Sequence, residues 1–287
     1  MKELVIISGK GGTGKTSMVS AVSSLAQNKI LCDADVDAAD LHLIMSPEVI
    51  KAEPFRGGCE ASIDKDKCVE CGLCQKLCRF GAIGEDLKVD TIECEGCGVC
   101  YYFCPEKAIT FEQKTCGEWF ISDTRHGPMV HARLGIAEEN SGKLVTLVRK
   151  EAKKLAEEKG MDLIITDGAP GVGCPVIASI GGASAVLIVT EPTVSGVHDM
   201  TRVAELASHF RIPAMVCVNK YDLNPEKTEE IRAFSDTHDI AFVGEIPFDP
   251  VFTRAMVEAK NIFEYDPDAE ACEDVKALWQ RVHDRLK

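Results

Sequence analysis

Gly9-Lys10-Gly11-Gly12-Thr13-Gly14-Lys15-Thr16 follows the apolar run Leu4-Val5-Ile6-Ile7 and opens into Ser17–Leu25, which reads as a helix. Strand, glycine-rich turn and helix, in that order, is the context that the phosphate-loop pattern G-x-x-x-x-G-K-S/T requires. The residue types follow from the chemistry. Glycines let the backbone turn tightly enough to aim successive N–H groups at phosphate oxygens, and the helix N-terminus adds its partial positive charge. Gly9, Gly11, Gly12, Thr13, Gly14 and Ser17 are therefore candidate nucleotide contacts. Lys15 is expected to place an ammonium on the outer phosphates, and Thr16 a hydroxyl on a magnesium ion.

Acidic residues close the next strands. Lys29-Ile30-Leu31-Cys32 reads as a second strand ending in Asp33-Ala34-Asp35-Val36-Asp37. Carboxylates at that edge of a parallel sheet lie where open α/β folds bind ligands. Asp33 is a candidate for the magnesium site; Asp35 and Asp37 could hold magnesium-bound waters or orient an attacking water. Met161–Asp167 is an apolar strand ending in a Walker B acid, so Asp167 is a second magnesium candidate. Flexible Gly168–Gly173 and then Cys174 follow it. Ala185–Thr190, Ala214–Val218 and Ala241–Gly244 read as further strands, with an amphipathic helix expected over Ser141–Glu158.

With Lys10 one place after the first glycine, the loop resembles the deviant phosphate loop of MinD, the partition ATPases, the nitrogenase iron protein and Mrp-type cluster carriers. That resemblance implies a doubly wound, mostly parallel α/β sheet and slow magnesium-dependent ATP hydrolysis. It also implies an ATP-dependent homodimer, or a dimer with a related subunit, in which Lys10 reaches across to the partner's nucleotide. Asp33–Asp37 would be switch I and the turn after Asp167 switch II. Asn219 falls at the family's base-reading position, and Ile246-Pro247-Phe248-Asp249 resembles its base-covering loop. Asn219-Lys220-Tyr221-Asp222 also matches the guanine signature N-K-x-D, leaving GTP open beside ATP. The iron protein binds a subunit-bridging cluster at the spacing of Cys174. Its second ligand would fall at Glu138-Glu139-Asn140 here, so a packed residue is the alternative reading of Cys174.

A second feature interrupts this pattern. Cys68-x-x-Cys71-x-x-Cys74-x-x-x-Cys78 recurs 26 residues later as Cys94-x-x-Cys97-x-x-Cys100-x-x-x-Cys104, together with Gly72 as Gly98, Ala82 as Ala108 and Ile83 as Ile109. This is an internal duplication. It resembles the bacterial two-cluster ferredoxins, in which the fourth cysteine of each run serves the other cluster. The resemblance implies two 4Fe-4S clusters, one on Cys68, Cys71, Cys74 and Cys104, the other on Cys94, Cys97, Cys100 and Cys78. Arg79 replaces the proline usual after the fourth cysteine. Zinc is the alternative metal for paired C-x-x-C, but eight cysteines at this spacing exceed its needs. The expected organisation is an ATPase domain over 1–56 and 114–287, with an inserted ferredoxin module over 57–113. Cys116–Ile121 and Pro128–Leu134 should be short strands resuming the host domain. Cys32, Cys59, Cys116, Cys217 and Cys272 read as small buried hydrophobes.

A net charge of −14 argues against nucleic acid, whose phosphates are met by Lys and Arg clusters. No basic, apolar leader opens the chain, so a cytoplasmic, thiol-preserving setting is expected. The final segment, Ala269–Lys287, spaces Val275, Leu278, Val282 and Leu286 along one helical face. Its acids suit docking on the host domain better than a membrane. Two functional readings follow: an ATP-driven redox protein acting on a redox partner, and an Mrp-type carrier donating clusters to apo-proteins.

Overall fold

The computed structural model describes residues 1–135, 138 and 142–287. The chain divides into two compact units, one of Met1–Glu53, Trp119–Arg133 and Asn140–Lys287, the other of Pro54–Glu118 and Leu134–Glu139.

In the first unit, β1 (Lys2–Ile7) pairs in parallel with β6 (Leu163–Asp167) and β7 (Ala185–Thr190), β2 (Lys29–Asp33) pairs with β5 (Gly127–Leu134) and β6, and β8 (Ala214–Asn219) lies between β7 and β9 (Ala241–Ile246). With β3 (Glu48–Ile63) and β4 (Ile109–Thr124), the strand order is β3-β4-β5-β2-β6-β1-β7-β8-β9. Alternation along β1 separates the two cores. Leu4 and Ile6 pack with Met18 and Val22 of α1 (Lys15–Leu25) and with Val275, Leu278 and Val282 of α11 (Glu270–Leu286). Val5 and Ile7 face the other way, with Val176 of α6 (Cys174–Ile180) and Val203 of α7 (Val194–His209). The C-terminal helix thus buries its apolar stripe in the core. Among the described residues no helix is long and apolar enough to cross a membrane.

The strand pattern departs from the sequence reading in two places. No strand was expected at Glu48–Ile63, yet β3 covers it; Pro54 and the Gly57-Gly58 pair disguised it. β4 runs over Ile109–Thr124, well before Cys116, because Ile109, Phe111 and their neighbours extend the ladder. The helix expected from Ser141 is α5 (Lys143–Lys159). Ser141, Glu139 and Asn140 lie outside the described residues.

The turn between β4 and β5 carries a charge cluster. Arg125 pairs with Glu264 of α10 (Ile262–Tyr265) and donates to the carbonyls of Ile44 (2.6 Å) and Ala259 (2.8 Å). Partial burial alone would raise the Glu264 pKa. The Arg125 hydrogen bond and the Asn261 amide outweigh it and hold the carboxyl down at about 2. A depressed carboxyl stabilises above its ordinary range, and that contribution fades as pH falls towards its folded value. Glu264→Gln should therefore cost about 1–2 kcal/mol at neutral pH, with the gap narrowing below the ordinary carboxyl range and closing as pH falls through about 2. Chemical denaturation at several pH values measures this, and a gap that does not shrink in acid would refute it.

In the second unit the duplication is visible residue by residue. Helices α3 (Leu73–Leu77) and α4 (Val99–Phe103) each start after a glycine at positive φ, Gly72 at 70° and Gly98 at 74°. Ala82 and Ala108 are both 2% exposed, and Ile83 and Ile109 both 4%. The Asp90 amide donates to Ala82 O at 2.7 Å as the Asp64 amide donates to Ala108 O at 2.8 Å. The two repeats thus exchange equivalent backbone bonds.

Candidate functional site

The loop Ser8–Gly14 joins the end of β1 to α1, and its sequence is dictated by close approaches. A Cβ on Gly9 would stand 2.3 Å from Asp199 Cβ. Gly14 sits at φ 87°, with Asn219 Nδ2 2.3 Å from where its Cβ would be. Gly11, Gly12, Gly14, Lys15, Thr16 and Ser17 line a cleft of about 340 Å³, together with Asp35, Asn219 and Pro247. Pro170 of the turn after Asp167 and Phe248-Asp249 of the expected loop line it too, and the chain adds groups that the sequence reading did not single out: Ser8, Phe252, Thr253 and Met256. Asp40, just past the acidic run, also lines it.

Behind the cleft lies a buried charge cluster. Lys15 Nζ donates to Asp35 Oδ2 at 3.1 Å and to Asp167 Oδ1, and only 6% of its side chain is exposed. Burial alone would lower the Lys15 pKa; Asp167, Asp35 and Asp33 together raise it. Asp33 is fully buried, and burial followed by the nearby Asp167 charge pushes its carboxyl well up. Asp35 is raised more mildly, because Lys15 opposes its burial. Asp33 Oδ1 accepts from the Asp35 amide at 3.2 Å, whereas Oδ2 has no partner among the described residues. That orphaned oxygen beside Asp167 fits a hydrated divalent cation, with Thr16 at the cleft wall. Thr13 is buried, and its hydroxyl likewise has no partner among the described residues. Asp37 is exposed and does not line the cleft.

Two expected residues are engaged within the chain. Lys10 Nζ donates to Ser195 Oγ (3.1 Å) and Thr193 Oγ1 (3.4 Å) and lies 3.6 Å from Glu191, which also pairs with Lys220. Asn219 Nδ2 donates to the Thr13 carbonyl at 2.8 Å, leaving its amide oxygen and second N–H. Asp222 accepts from the Phe248 amide at 2.6 Å, so its carboxylate holds the loop after Pro247.

The eight repeat cysteines fall into two pockets. Cys68, Cys71, Cys74 and Cys104 line one, with Ile63, Ala108 and Ile109 in its wall. Cys78, Cys94, Cys97 and Cys100 line the other, with Ala61, Ala82 and Ile83. The fourth cysteine of each run therefore lies with the other run. Burial lifts the thiols of Cys74 and Cys100, another matched pair. Among the described residues no three His, Cys, Asp or Glu side chains converge on a single-ion site. A cubane spreads its four thiolates over four irons, so four cysteines around a small apolar pocket fit its donor set without such convergence. Of the other cysteines, Cys32, Cys116, Cys217 and Cys272 are buried as expected and Cys59 is half-buried. Cys174, read as either a bridging ligand or a packed residue, is exposed, so packing does not describe it.

Comparison with known proteins locates this geometry. The family model for the CobQ/CobB/MinD/ParA nucleotide binding domain matches residues 4–262. The uncharacterized protein MJ0578 of Methanocaldococcus jannaschii is 31% identical, across 98% of this chain and 96% of its own. The cell division ATPase MinD of Pyrococcus furiosus superposes with a TM-score of 0.60 at 17% identity, over 99% of this chain and 98% of its own. Apo McdA from Cyanothece gives 0.61 at 17% identity, over the full length of both. At that identity the structural likeness is one of fold.

Proposed function

The chain belongs to the CobQ/CobB/MinD/ParA nucleotide-binding family, and from that premise we propose a magnesium-dependent ATPase that couples its nucleotide state to electron transfer through two 4Fe-4S clusters. The observation that carries the redox half is the exchange of fourth cysteines, Cys104 into the first run's pocket and Cys78 into the second's. Zinc has no use for eight cysteines at this tight three-plus-one spacing, since its structural sites draw on C-x-x-C pairs.

In the ATPase unit, the loop amides and Lys15 would cradle the outer phosphates, Lys15 leaving Asp35 and Asp167 to do so. Asp33, Asp167 and Thr16 would hold the hydrated magnesium ion, and Asp35 is left to orient water. Asn219 and Pro247 would meet the base. The engagement of Asp222 by Phe248 supports adenine, since a guanine reader needs that carboxylate free. In an ATP-bound dimer, Lys10 would leave Glu191 for the partner's nucleotide. When bound, the clusters supply one-electron carriers. The chain's contribution there is to hold each cysteine quartet in an apolar wall that limits water.

Connectivity supports coupling. Asp33–Asp40 leads through α2 (Leu41–Met45) directly into β3, which enters the second unit at Pro54. Segments that respond to the outer phosphate are a standard route for moving an attached element. Anaerobically reconstituted protein should show cluster potentials that differ between ADP and a non-hydrolysable ATP analogue by about 60 mV or more, a tenfold change for one electron. Equal potentials with either nucleotide and with none, and unchanged reduction of an artificial acceptor, would end the coupling proposal.

A further inference from the structure

The duplication supplies its own control experiment. Wherever the two repeats share a backbone and a core but differ on the outside, folding cannot explain the difference. The shared part is extensive. Both five-residue helices are closed by the same bond, Lys76 N to Gly72 O at 3.2 Å and Tyr102 N to Gly98 O at 3.1 Å, over equally buried alanines and isoleucines.

The outsides diverge. Asp66, Gln75, Lys76 and Leu77 of the first repeat become Ile92, Tyr101, Tyr102 and Phe103 in the second. Ile92 is 71% exposed, Tyr102 79% and Phe103 63%, whereas Leu77 is 37% exposed. Tyr101 stacks on Phe111 at 5.8 Å and meets Tyr102 edge-on at 5.4 Å, which leaves most of the Tyr102 ring open. Charge changes as well. Lys67, before the first cysteine of its run, becomes Glu93, and Val69 after it becomes Glu95. Residues 64–89 balance five acids with five bases. Residues 90–115 carry five acids (Asp90, Glu93, Glu95, Glu106, Glu112) against two bases, Lys107 and Lys114. Exposed aromatics amid acids of one sign are what a recognition surface uses. A solvated face needs neither.

We propose that the second repeat, through Ile92, Tyr102 and Phe103 with Glu93 and Glu95, docks a redox protein that presents an apolar recess ringed by lysine or arginine. That the partner is a redox protein rests on the cluster reading above; the surface itself rests on the comparison of repeats. All five residues lie within two positions of Cys94, Cys100 or Cys104, so docking there brings the partner to the pockets.

The probe is ferricytochrome c, a basic protein whose haem edge opens in an apolar, lysine-ringed surface. It is titrated calorimetrically into the oxidised, cluster-reconstituted chain at low salt, where no electron moves. Ile92→Asp, Tyr102→Lys and Phe103→Leu, made together, install residues with which the first repeat already folds. Affinity should fall at least tenfold while iron content stays unchanged. Glu93→Lys should weaken binding and flatten its salt dependence. Asp66→Ile with Lys76→Tyr in the first repeat should leave both as in the parent. The proposal is overturned by a parent that does not bind, or by a triple variant that binds as tightly as the parent. It is equally overturned if sedimentation shows a dimer of this chain that the triple variant abolishes, since the surface then serves a second copy. Iron-free parent protein counts against the cluster reading alone, and the same titration on that sample still decides the surface.

Discussion

Lys15→Met should reduce ATP turnover by about 10²–10³-fold or more, the scale on which a single preorganised positive donor acts on developing phosphate charge. Phosphate binding should be lost with it. The structure adds a second, independent consequence. Lys15 is the buried cation facing Asp33, Asp35 and Asp167. Breaking such a pair from one side strands the remaining charge, at about 3–5 kcal/mol. The cost should depend on pH in a known direction. Carboxyls whose folded pKa is raised bind more protons in the folded state, so stability falls as pH rises above their unfolded value near 3.8. Methionine removes the opposing ammonium and steepens that fall. The variant should therefore approach the parent near pH 4 and separate from it towards pH 8. Equal melting temperatures at both ends would contradict the buried-cluster account, and retained turnover would contradict the phosphate role.

Cys104→Ser should halve the metal. Two cubanes demand about eight iron and eight sulfide per chain in anaerobically purified parent. The variant should keep about four of each, in the site lined by Cys78, Cys94, Cys97 and Cys100. Cys68→Ser should give the same loss and leave the same surviving spectrum, although Cys68 and Cys104 lie in different runs. This pairing of phenotypes is the decisive outcome. If each run held its own cluster, Cys104→Ser would instead match Cys94→Ser. Zinc in place of iron would sink the reading outright.

Legibility followed chemical necessity. The strand–loop–helix around Gly9–Thr16 and the grouping of the eight cysteines could be read because both rest on residue types at fixed spacings, and at Gly9 and Gly14 a Cβ would collide. Strand β3 could not be read, since Pro54, Gly57 and Gly58 are breakers in most contexts and only the partner strand overrides them. Asp37 looked equivalent to Asp33 and Asp35 in a run of alternating acids. Their separation comes from where the chain leaves β2, which buries Asp33 and Asp35 and leaves Asp37 outside. Phe252, Thr253 and Met256 match no motif, and their placement on the cleft wall is a matter of tertiary packing. Likewise, the sequence offered Asn219 as a cleft residue, but not as the amide that ties β8 to the loop carbonyl of Thr13.

Glu191 holds two ammonium groups at once, those of Lys10 and Lys220. Were Lys10 to leave for a second subunit, as the proposed function has it, this carboxylate would keep a counter-ion, so no partly buried charge would be stranded and the usual penalty for breaking an ion pair would be small. Lys10 would thus be a detachable cation. A chain with Lys220→Ala would lose that spare partner. Lys10 would then be the sole counter-charge for Glu191, and its reach towards a second subunit would be opposed by the full attraction it leaves behind.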